Sequence, residues 1–213
     1  MRPDPFQALP DTVEVGGKTV RIDPSFRVGI AIELEALSDG EPDAAGLLAR
    51  FYRGDIPDDI PGAVRAMLDF YRGPKRQDDD RPKGKDKGGR AYDFVQDAEV
   101  ILSSFLSSYG IDLTTADLHW WTFRRLMFNL PHDCNFMQRV AYRTADLSQM
   151  SKVQKKHYKK MRDLYAIHGE GRRKMTVEER DAALLAKVER RYREATEKQA
   201  ERPAKKSQVE ISR

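Results

Sequence analysis

The stretch DLHWWTFRRLMFNLP, residues 117–131, contains both tryptophans of a 213-residue chain. Placed on a helical wheel at about 100° per residue, it shows two apolar faces. The first and broader face comprises Trp120, Phe123, Leu126, Met127 and Leu130. Trp121 and Phe128 form the second face, which arginines and polar residues separate from the first. An ordinary surface helix has one apolar face, so the sequence predicts either a central helix of a bundle or a helix that also binds a partner.

Apolar residues recur at helical spacing on both sides of this stretch. Helices are predicted within residues 24–38, 42–54, 57–73, 92–110, 135–142 and 148–168. The expected buried faces are Phe26, Ile30, Leu34 and Leu37 in the first, Val64, Met67, Leu68 and Tyr71 in the third, and Phe94, Ala98, Ile101, Phe105 and Leu106 in the fourth. Thr114 or Thr115 is the expected N-cap of the tryptophan helix, and Gly110 should end the helix before it.

Residues 11–23, DTVEVGGKTVRID, alternate apolar and polar residues in the way typical of strands. Gly16 and Gly17 divide the segment in the middle. Two adjacent glycines between such runs predict a β-hairpin with a two-residue primed turn. The expected fold class is therefore mainly α, a helical bundle with a small N-terminal β-hairpin and a helical C-terminal arm.

The expected domain organisation follows from where the apolar periodicity stops. Residues 9–168 should form the domain of hairpin and helices, interrupted at 73–90 by a charged loop that has no large apolar residue and is expected to be disordered. Residues 172–201 should form a charged helical arm, whose apolar positions end at Tyr192. Residues 202–213 are expected to be a disordered tail.

Composition limits the setting in which the chain works. The single Cys134 excludes an internal disulfide framework, and the start of the chain lacks a signal-peptide pattern. Charges interrupt every apolar segment before it reaches the run of about 20 residues that a membrane helix needs. A soluble, cytoplasmic protein with no membrane partner is expected.

Residue patterns that support catalysis are missing. His132 and Cys134 are neighbours in sequence, but a nucleophile and its base must meet through the fold, so a surface loop is the better interpretation. His119 is expected to be a satisfied, partly buried histidine. The histidines and the cysteine lack zinc-ligand spacing, and no glycine-rich phosphate-binding motif occurs. We therefore expect no catalytic residue, no cofactor, no metal and no enzyme activity.

Residues 152–162, KVQKKHYKKMR, raise the question of nucleic-acid binding. On the helical wheel Lys152, Lys155, Lys156, Lys159 and Lys160 are expected to cluster broadly, opposite a packed face of Val153, Met161 and the nearby Leu164. Such lysines can contact phosphates, but they are also typical of the solvated face of an amphipathic helix. The net charge of the whole chain is only +4, which makes nucleic acid the less favoured partner.

Five segments together resemble a known family. They are LPDTVEVGGKTVRIDPSFRVGIAIE (9–33), DFYRG (69–73), YDFVQDAEVILSSFLSSYGIDL (92–113), LHWWTFRRLMFNLP (118–131) and YRTADLSQM (142–150). In order and spacing they are similar to the bacteriophage gene-product-fifteen family, tail-assembly proteins encoded beside the tape-measure gene of long-tailed phages. The resemblance spans about residues 9–167 and leaves the arm beyond Gly171 outside the family pattern.

The resemblance implies a non-enzymatic tail-assembly chaperone. Such a protein would bind tape-measure or tail-tube proteins in the host cytoplasm during virion morphogenesis, and it would be absent from the mature virion. A homo-oligomer is a further candidate state. The candidate partner-binding residues are Trp121, Phe128, Leu184, Leu185, Val188 and Tyr192.

Two alternatives stay open at this point. The chain could be a permanent structural component of the tail or its connector, which would use the same apolar surfaces. It could also be a phage regulator that binds nucleic acid through the lysines of residues 152–162. For the arm, residues 172–213, its half-apolar and half-polar helical pattern suggests the hypothesis that it wraps a helical client.

Overall fold

Seven helices and one two-stranded antiparallel sheet make up the described part of the chain. The computed structural model describes residues 7–37, 43–74 and 90–168, and six further positions, Ala182, Ala186, Lys187, Arg190, Arg193 and Glu194. The predicted fold class, mainly helical with a small N-terminal hairpin, is confirmed. The chain divides into two compact units: the N-terminal unit, residues 1–74 with 175–213, and the central unit, residues 75–174.

Much of the predicted loop, arm and tail lies outside the described residues. This applies to residues 75–89 of the loop and to the whole tail, 202–213. Of the arm, the six described positions are helical. Among them, Arg190 and Glu194 lie one helical turn apart, with the guanidinium Nε 3.9 Å from a carboxylate oxygen.

The N-terminal unit opens with the predicted hairpin. Strands β1 (Thr12–Val15) and β2 (Lys18–Arg21) pair with Val15 opposite Lys18. Gly16 and Gly17 have φ angles of 57° and 77°, the left-handed region that a primed turn requires at both central positions and that glycine adopts without a Cβ clash. The primed turn predicted from the two glycines is therefore confirmed.

Helices α1 (Phe26–Leu37), α2 (Ala44–Phe51) and α3 (Ile60–Arg72) complete this unit. Helices α2 and α3 begin in the same way: the Asp43 carboxylate accepts the Gly46 amide at 2.9 Å, and the Asp59 carboxylate accepts the Gly62 amide at 3.0 Å. A Cβ added to either glycine would lie 2.1 Å from the capping carboxylate. At each start the capping carboxylate thus occupies the space that a side chain at the fourth residue would take, so a substitution at either glycine would have to turn the carboxylate aside.

The core of the N-terminal unit lies between α2, α3 and the hairpin. It contains Val15, Ile22, Leu47, Leu48, Phe51, Tyr52, Ile60, Ala63, Val64, Met67, Leu68 and Phe70. The hydroxyl of Tyr52 donates to the Ala63 carbonyl at 2.7 Å, and burial raises the pKa of Tyr52. Of the face predicted for α3, Val64, Met67 and Leu68 are buried as expected, whereas Tyr71 is only half-buried.

The buried face predicted for α1 is partly wrong. Phe26 is buried, but the rest of the buried face consists of Val28, Gly29 and Ile32, while the predicted Ile30, Leu34 and Leu37 are only half-buried. A wheel that counts apolar side chains gives no weight to Gly29, which has none. The glycine nevertheless lies in the buried face, between Phe26 and Ile32.

The central unit contains α4 (Ala98–Tyr109), α5 (Trp120–Phe128), α6 (Asn135–Thr144) and α7 (Lys152–Leu164). Helix α6 packs on α4, and α7 packs on α6. Helix α4 ends at Gly110, whose φ of 66° is left-handed, as predicted. Helix α7 is shorter than predicted, because Ser151 caps it through a reciprocal pair of hydrogen bonds with Gln154.

Two local predictions in the central unit are wrong. Leu106 is 55% exposed, because the buried face of α4 follows Ile101, Ser104 and Phe105, and Leu106 lies about 100° further round the helix. The tryptophan helix is capped by His119 rather than by Thr114 or Thr115. Thr114 instead closes a separate turn, in which its amide and hydroxyl both donate to the Asp112 carboxylate.

A buried ion pair joins α4 to α6. Asp97, fully buried at the start of α4, receives hydrogen bonds from both terminal nitrogens of Arg143, one of them 2.9 Å long. The Asp93 amide donates to the same carboxylate at 3.0 Å, and Arg139 lies 3.3 Å from it. Burial alone raises the pKa of Asp97, but the hydrogen bonds from Arg143 and from the Asp93 amide outweigh it, so the pKa lies below its ordinary value.

Two arginines also join α6 to α7 by donating to backbone carbonyls. Arg143 of α6 donates to the carbonyls of Tyr165, at 2.6 Å, and Ala91, at 3.2 Å. Arg162 of α7 donates to the carbonyl of Tyr142 at 3.0 Å and to that of Ala145 at 2.7 Å. Each helix therefore supplies a guanidinium that donates to carbonyls near the C-terminal end of the other helix. Carbonyls in the last turn of a helix have no hydrogen-bond donor within that helix.

Replacing Arg143 with methionine should destabilise the central unit strongly. The change leaves the buried Asp97 carboxylate without its bidentate partner, so we expect the free energy of unfolding to fall by about 3–5 kcal/mol. Urea unfolding followed by tryptophan fluorescence measures this, because both tryptophans lie in α5. The control is Arg139→Met, which removes a 30% exposed partner of the same carboxylate and should cost only about 1 kcal/mol. Equal losses in the two variants would contradict the assignment.

The Asp97 ion pair should also make the central unit sensitive to acid. Because the folded pKa of Asp97 is lowered, its contribution to stability is fully present above the unfolded pKa of about 3.9 and is lost as the pH falls through the folded value. The stability difference between the wild-type chain and Asp97→Asn should therefore be large at neutral pH and shrink below about pH 4. Urea midpoints across this range test the prediction, with the exposed Asp133→Asn as control. A pH-independent difference would count against it.

Candidate partner-binding surface

The broad face of α5 is the aromatic centre of the central unit. Trp120 stacks on Phe123 with ring centroids 5.9 Å apart, and Phe123 stacks on Phe105 of α4 at 5.3 Å. Trp120, Phe123, Met127 and Leu130 are all at most 3% exposed. The first apolar face predicted from the sequence is therefore a core face, except that Leu126 on its flank is half-buried.

The histidine beside the tryptophans, His119, lies at the start of α5. His119 is the N-cap, and its Nδ1 accepts the amide of Trp121 at 3.0 Å. Its ring also meets the Trp121 ring edge to face, with centroids 5.4 Å apart. His119 thus has a structural role at the helix start, in agreement with the prediction of a satisfied, partly buried histidine.

The second face of α5 has one half-buried and one exposed aromatic residue. Trp121 is half-buried, whereas Phe128 is 52% exposed. The two residues are seven positions apart, which places them within about 20° of each other and about 10 Å apart along the helix axis. The predicted second face therefore exists, and its exposed end is at Phe128.

Phe128 is the outer member of a larger aromatic cluster. Its ring lies 6.3 Å from that of Tyr92, and Tyr92 in turn contacts Phe94 at 5.2 Å and Phe136 at 6.2 Å. Phe94 and Phe136 are buried. We call Tyr92 and Phe128 the aromatic edge, because they connect the buried rings to the surface. Tyr92 was not predicted as a site residue, although it opens the YDF segment that carries part of the family resemblance.

Hydrogen bonds from two side chains to backbone carbonyls fix the end of α5 that bears Phe128. The hydroxyl of Tyr109 donates to the Leu126 carbonyl at 2.9 Å, and burial raises the pKa of this tyrosine. The side chain of Asn129 donates to the Arg125 carbonyl at 2.7 Å. These bonds satisfy carbonyls of the last turn, which helices leave without intrahelical partners.

The ion-pair network fixes the other half of the aromatic edge. Arg143 donates to the carbonyl of Ala91, directly before Tyr92. Directly after it, Asp93 accepts the amides of Val95 and Gln96 at 2.8 and 2.9 Å. Tyr92 is thus held between two satisfied backbone segments, and the aromatic edge requires little further ordering to bind an apolar partner.

The remaining predicted site residues belong to the arm. Leu184, Leu185, Val188 and Tyr192 lie outside the described residues. Their role as partner-binding residues stays a prediction. Trp121 and Phe128 are the two candidates that the structure describes.

The cysteine has a local structural role. Cys134 is the N-cap of α6, and its sulfur accepts the Met137 amide at 3.5 Å. The nearby His132 is exposed. In the part of the chain that the structure describes, no group of three or more histidine, cysteine or acidic residues could hold a metal ion.

Comparison with known protein families identifies the family of this chain. The family described as Bacteriophage Gp15 protein matches residues 6–167. The chain belongs to this family. The match covers the hairpin and all seven helices, and it includes both halves of the aromatic edge. No curated protein and no solved structure matches the chain. Among the described residues, no helix is both long enough and apolar enough to span a membrane.

A matched pair of phenylalanine substitutions in α5 should show which of the two rings belongs to the core. Phe123→Ala removes a fully buried ring from the aromatic centre, so we expect the free energy of unfolding to fall by about 3–5 kcal/mol. Phe128→Ala removes a ring that is already half in water, and should cost about 1 kcal/mol or less. Urea unfolding of each variant measures the difference. A loss at Phe128 as large as that at Phe123 would show that Phe128 is a core residue.

Proposed function

We propose that this phage protein is a non-enzymatic tail-assembly chaperone. It binds a tape-measure or tail-tube protein transiently in the host cytoplasm and leaves before the virion is complete. The membership of the Bacteriophage Gp15 protein family supports an association with phages. The family resemblance described above supports the narrower role in tail assembly.

The observation that carries the proposal is the exposure of Phe128. This ring is 52% exposed although it belongs to a helix whose other aromatic face is completely buried. An aromatic side chain is a large apolar surface, and aromatic residues dominate the energetics of protein interfaces. The aromatic edge therefore offers an assembly partner an apolar anchor that is already held in place.

The size of the aromatic edge suits a transient complex. Two rings alone form a small apolar area, and small interfaces are typical of weak, exchanging complexes rather than permanent ones. A chaperone must release its client when assembly proceeds. A permanent tail component would need a larger contact than the aromatic edge alone provides.

Binding is tested with the tagged full-length chain in phage-producing cells. The wild-type chain should co-purify with an identified tape-measure or tail-tube protein, and Phe128→Ser should reduce its recovery about tenfold, as expected for an interface anchor. Leu106→Ser is the matched control, since Leu106 is 55% exposed but lies on α4. An equal loss in both variants would overturn the role of the aromatic edge. Failure of the wild-type chain to recover either client would overturn the function.

The timing of release is tested on purified virions. A chaperone should be absent when the proteins of washed virions are identified by mass spectrometry. Stoichiometric recovery of this chain from the virions would instead make it a permanent tail or connector component. Unfolding measurements on Phe128→Ser serve as the folding control, because this variant should keep the stability of the wild-type chain within about 1 kcal/mol.

A further inference from the structure

Helix α7 packs with a face that its apolar pattern does not predict. Tyr158 and Tyr165 lie against Tyr142 of α6, with ring centroids 5.2 and 6.0 Å apart. The guanidinium of Arg162 on the same side donates to carbonyls of α6. No residue of α7 is buried.

The aliphatic residues of α7 point outward instead. Val153 is 80% exposed and Leu164 is 65% exposed, so the expectation that they form the packed face is wrong. The pair is eleven positions apart, which places the two side chains within about 20° of each other and about 16 Å apart along the helix axis. They mark the two ends of one outward line that spans three helical turns.

Lysines lie along this line and mainly on one side of it. By helical geometry Lys160 falls on the line, and Lys156 falls about 60° to one side. Lys152 and Lys159 lie further round on that same side, and all four are exposed. Met161, half-buried, lies about 80° to the other side. The outward face thus has Val153 and Leu164 at its two ends, Lys160 and the exposed His157 between them, and a row of positive charge on one flank.

The charge of this face is uncompensated within the described residues. Helix α7 carries five lysines and one arginine against a single aspartate, Asp163. None of its lysines forms an ion pair in the described part of the chain. Among the hydrogen bonds between described residues, Lys155 is the lysine of α7 that donates to a protein group, the Ser148 carbonyl at 3.1 Å. The row Lys152, Lys156, Lys159 and Lys160 therefore remains available to an acidic partner.

We propose that the outward face of α7 binds an acidic amphipathic helix of another protein. The apolar residues of that helix cover Val153 and Leu164 at the two ends of the face, and its acidic residues face Lys160 between them and the lysines on the flank. Because Val153 and Leu164 lie three turns apart, the partner segment must be helical over at least about 11 residues. Helix-on-helix docking of this kind is a common mode of peptide recognition.

The same face suits other macromolecules less well. A second copy of this chain would set lysines against lysines, because symmetric contacts pair identical patches. Nucleic acid offers phosphates to the lysines but no apolar counterpart for Val153 and Leu164. A membrane-surface helix needs a much larger apolar face than two aliphatic side chains.

The inference goes beyond the proposed chaperone function, because it concerns a different helix from the aromatic edge. It is tested with the purified full-length chain and four labelled probes. One is a designed helical peptide of about 21 residues that carries a stripe of leucines and glutamates, with the leucines about three turns apart and further glutamates on one flank. The others are a peptide of the same composition without the stripe, a duplex DNA of about 20 base pairs, and phosphatidylglycerol vesicles.

Fluorescence anisotropy should show that the striped peptide binds at least about tenfold more tightly than the scrambled one. The double variant Lys156→Glu/Lys160→Glu should weaken that binding by about tenfold or more, and Val153→Ser/Leu164→Ser by about fivefold. The control Lys18→Glu/Arg65→Glu makes the same change of net charge at exposed positions of the N-terminal unit. It should leave the affinity within about twofold. Circular dichroism of each variant confirms that α7 remains folded.

Three results would overturn the proposal. Equal binding of the two peptides would show that the stripe is irrelevant. Tighter binding of DNA or vesicles, with a steep fall as salt rises, would assign the face to polyanions. An equal loss in the Lys18→Glu/Arg65→Glu control would reduce the effect to net charge. The outcome of these measurements is independent of the Phe128 experiment. Either proposal can therefore be overturned while the other stands.

Discussion

The central unit depends on one buried ion pair, that between Asp97 and Arg143. Burying two charges is unfavourable unless the geometry is close and the remaining hydrogen-bonding capacity is satisfied. Both conditions hold, since the pair is bidentate, the Asp93 amide binds the same carboxylate and the guanidinium also donates to the carbonyls of Tyr165 and Ala91. Asp97 occupies the N-cap position of α4 but caps no amide of that helix. Its carboxylate instead accepts hydrogen bonds from Arg143, Arg139 and the Asp93 amide. One side-chain pair thereby fixes the relative positions of α4, α6 and the end of α7.

The aromatic edge follows from this arrangement. The backbone on both sides of Tyr92 is held by Arg143 and Asp93, and Tyr92 connects the buried Phe94 and Phe136 to the exposed Phe128. Core packing and the candidate binding surface are therefore parts of the same cluster. A partner that binds the aromatic edge would meet a surface that the core already holds in place, so its binding would depend on the fold being complete.

The sequence predicted those features that depend on local spacing. The broad face of α5, the glycine turn of the hairpin and the end of α4 at Gly110 all rest on residues within a few positions of one another, and all three agree with the structure.

The Asp97–Arg143 pair joins residues 46 positions apart, so no periodicity could indicate it. The face of α1 was misassigned because Gly29 contributes no side chain to a wheel. The face of α7 was misassigned because a wheel ranks Val153 and Leu164 above Tyr158 and Arg162, although the tyrosine rings and the guanidinium provide the contacts with α6. The exposure of Phe128 could not be deduced either, since a wheel identifies a second apolar face without showing what covers it.

The exchange of guanidinium groups between α6 and α7 has a consequence for how the protein opens. Arg143 of α6 holds the carbonyl at the end of α7, and Arg162 of α7 holds two carbonyls at the end of α6. Neither helix can fray from its C-terminal end without breaking bonds to the other, so fraying at these two ends is coupled. We therefore expect α6 and α7 to open together in hydrogen exchange, despite the difference in their burial. The lysine-bearing α7 is therefore expected to stay docked on α6 and not to detach by itself.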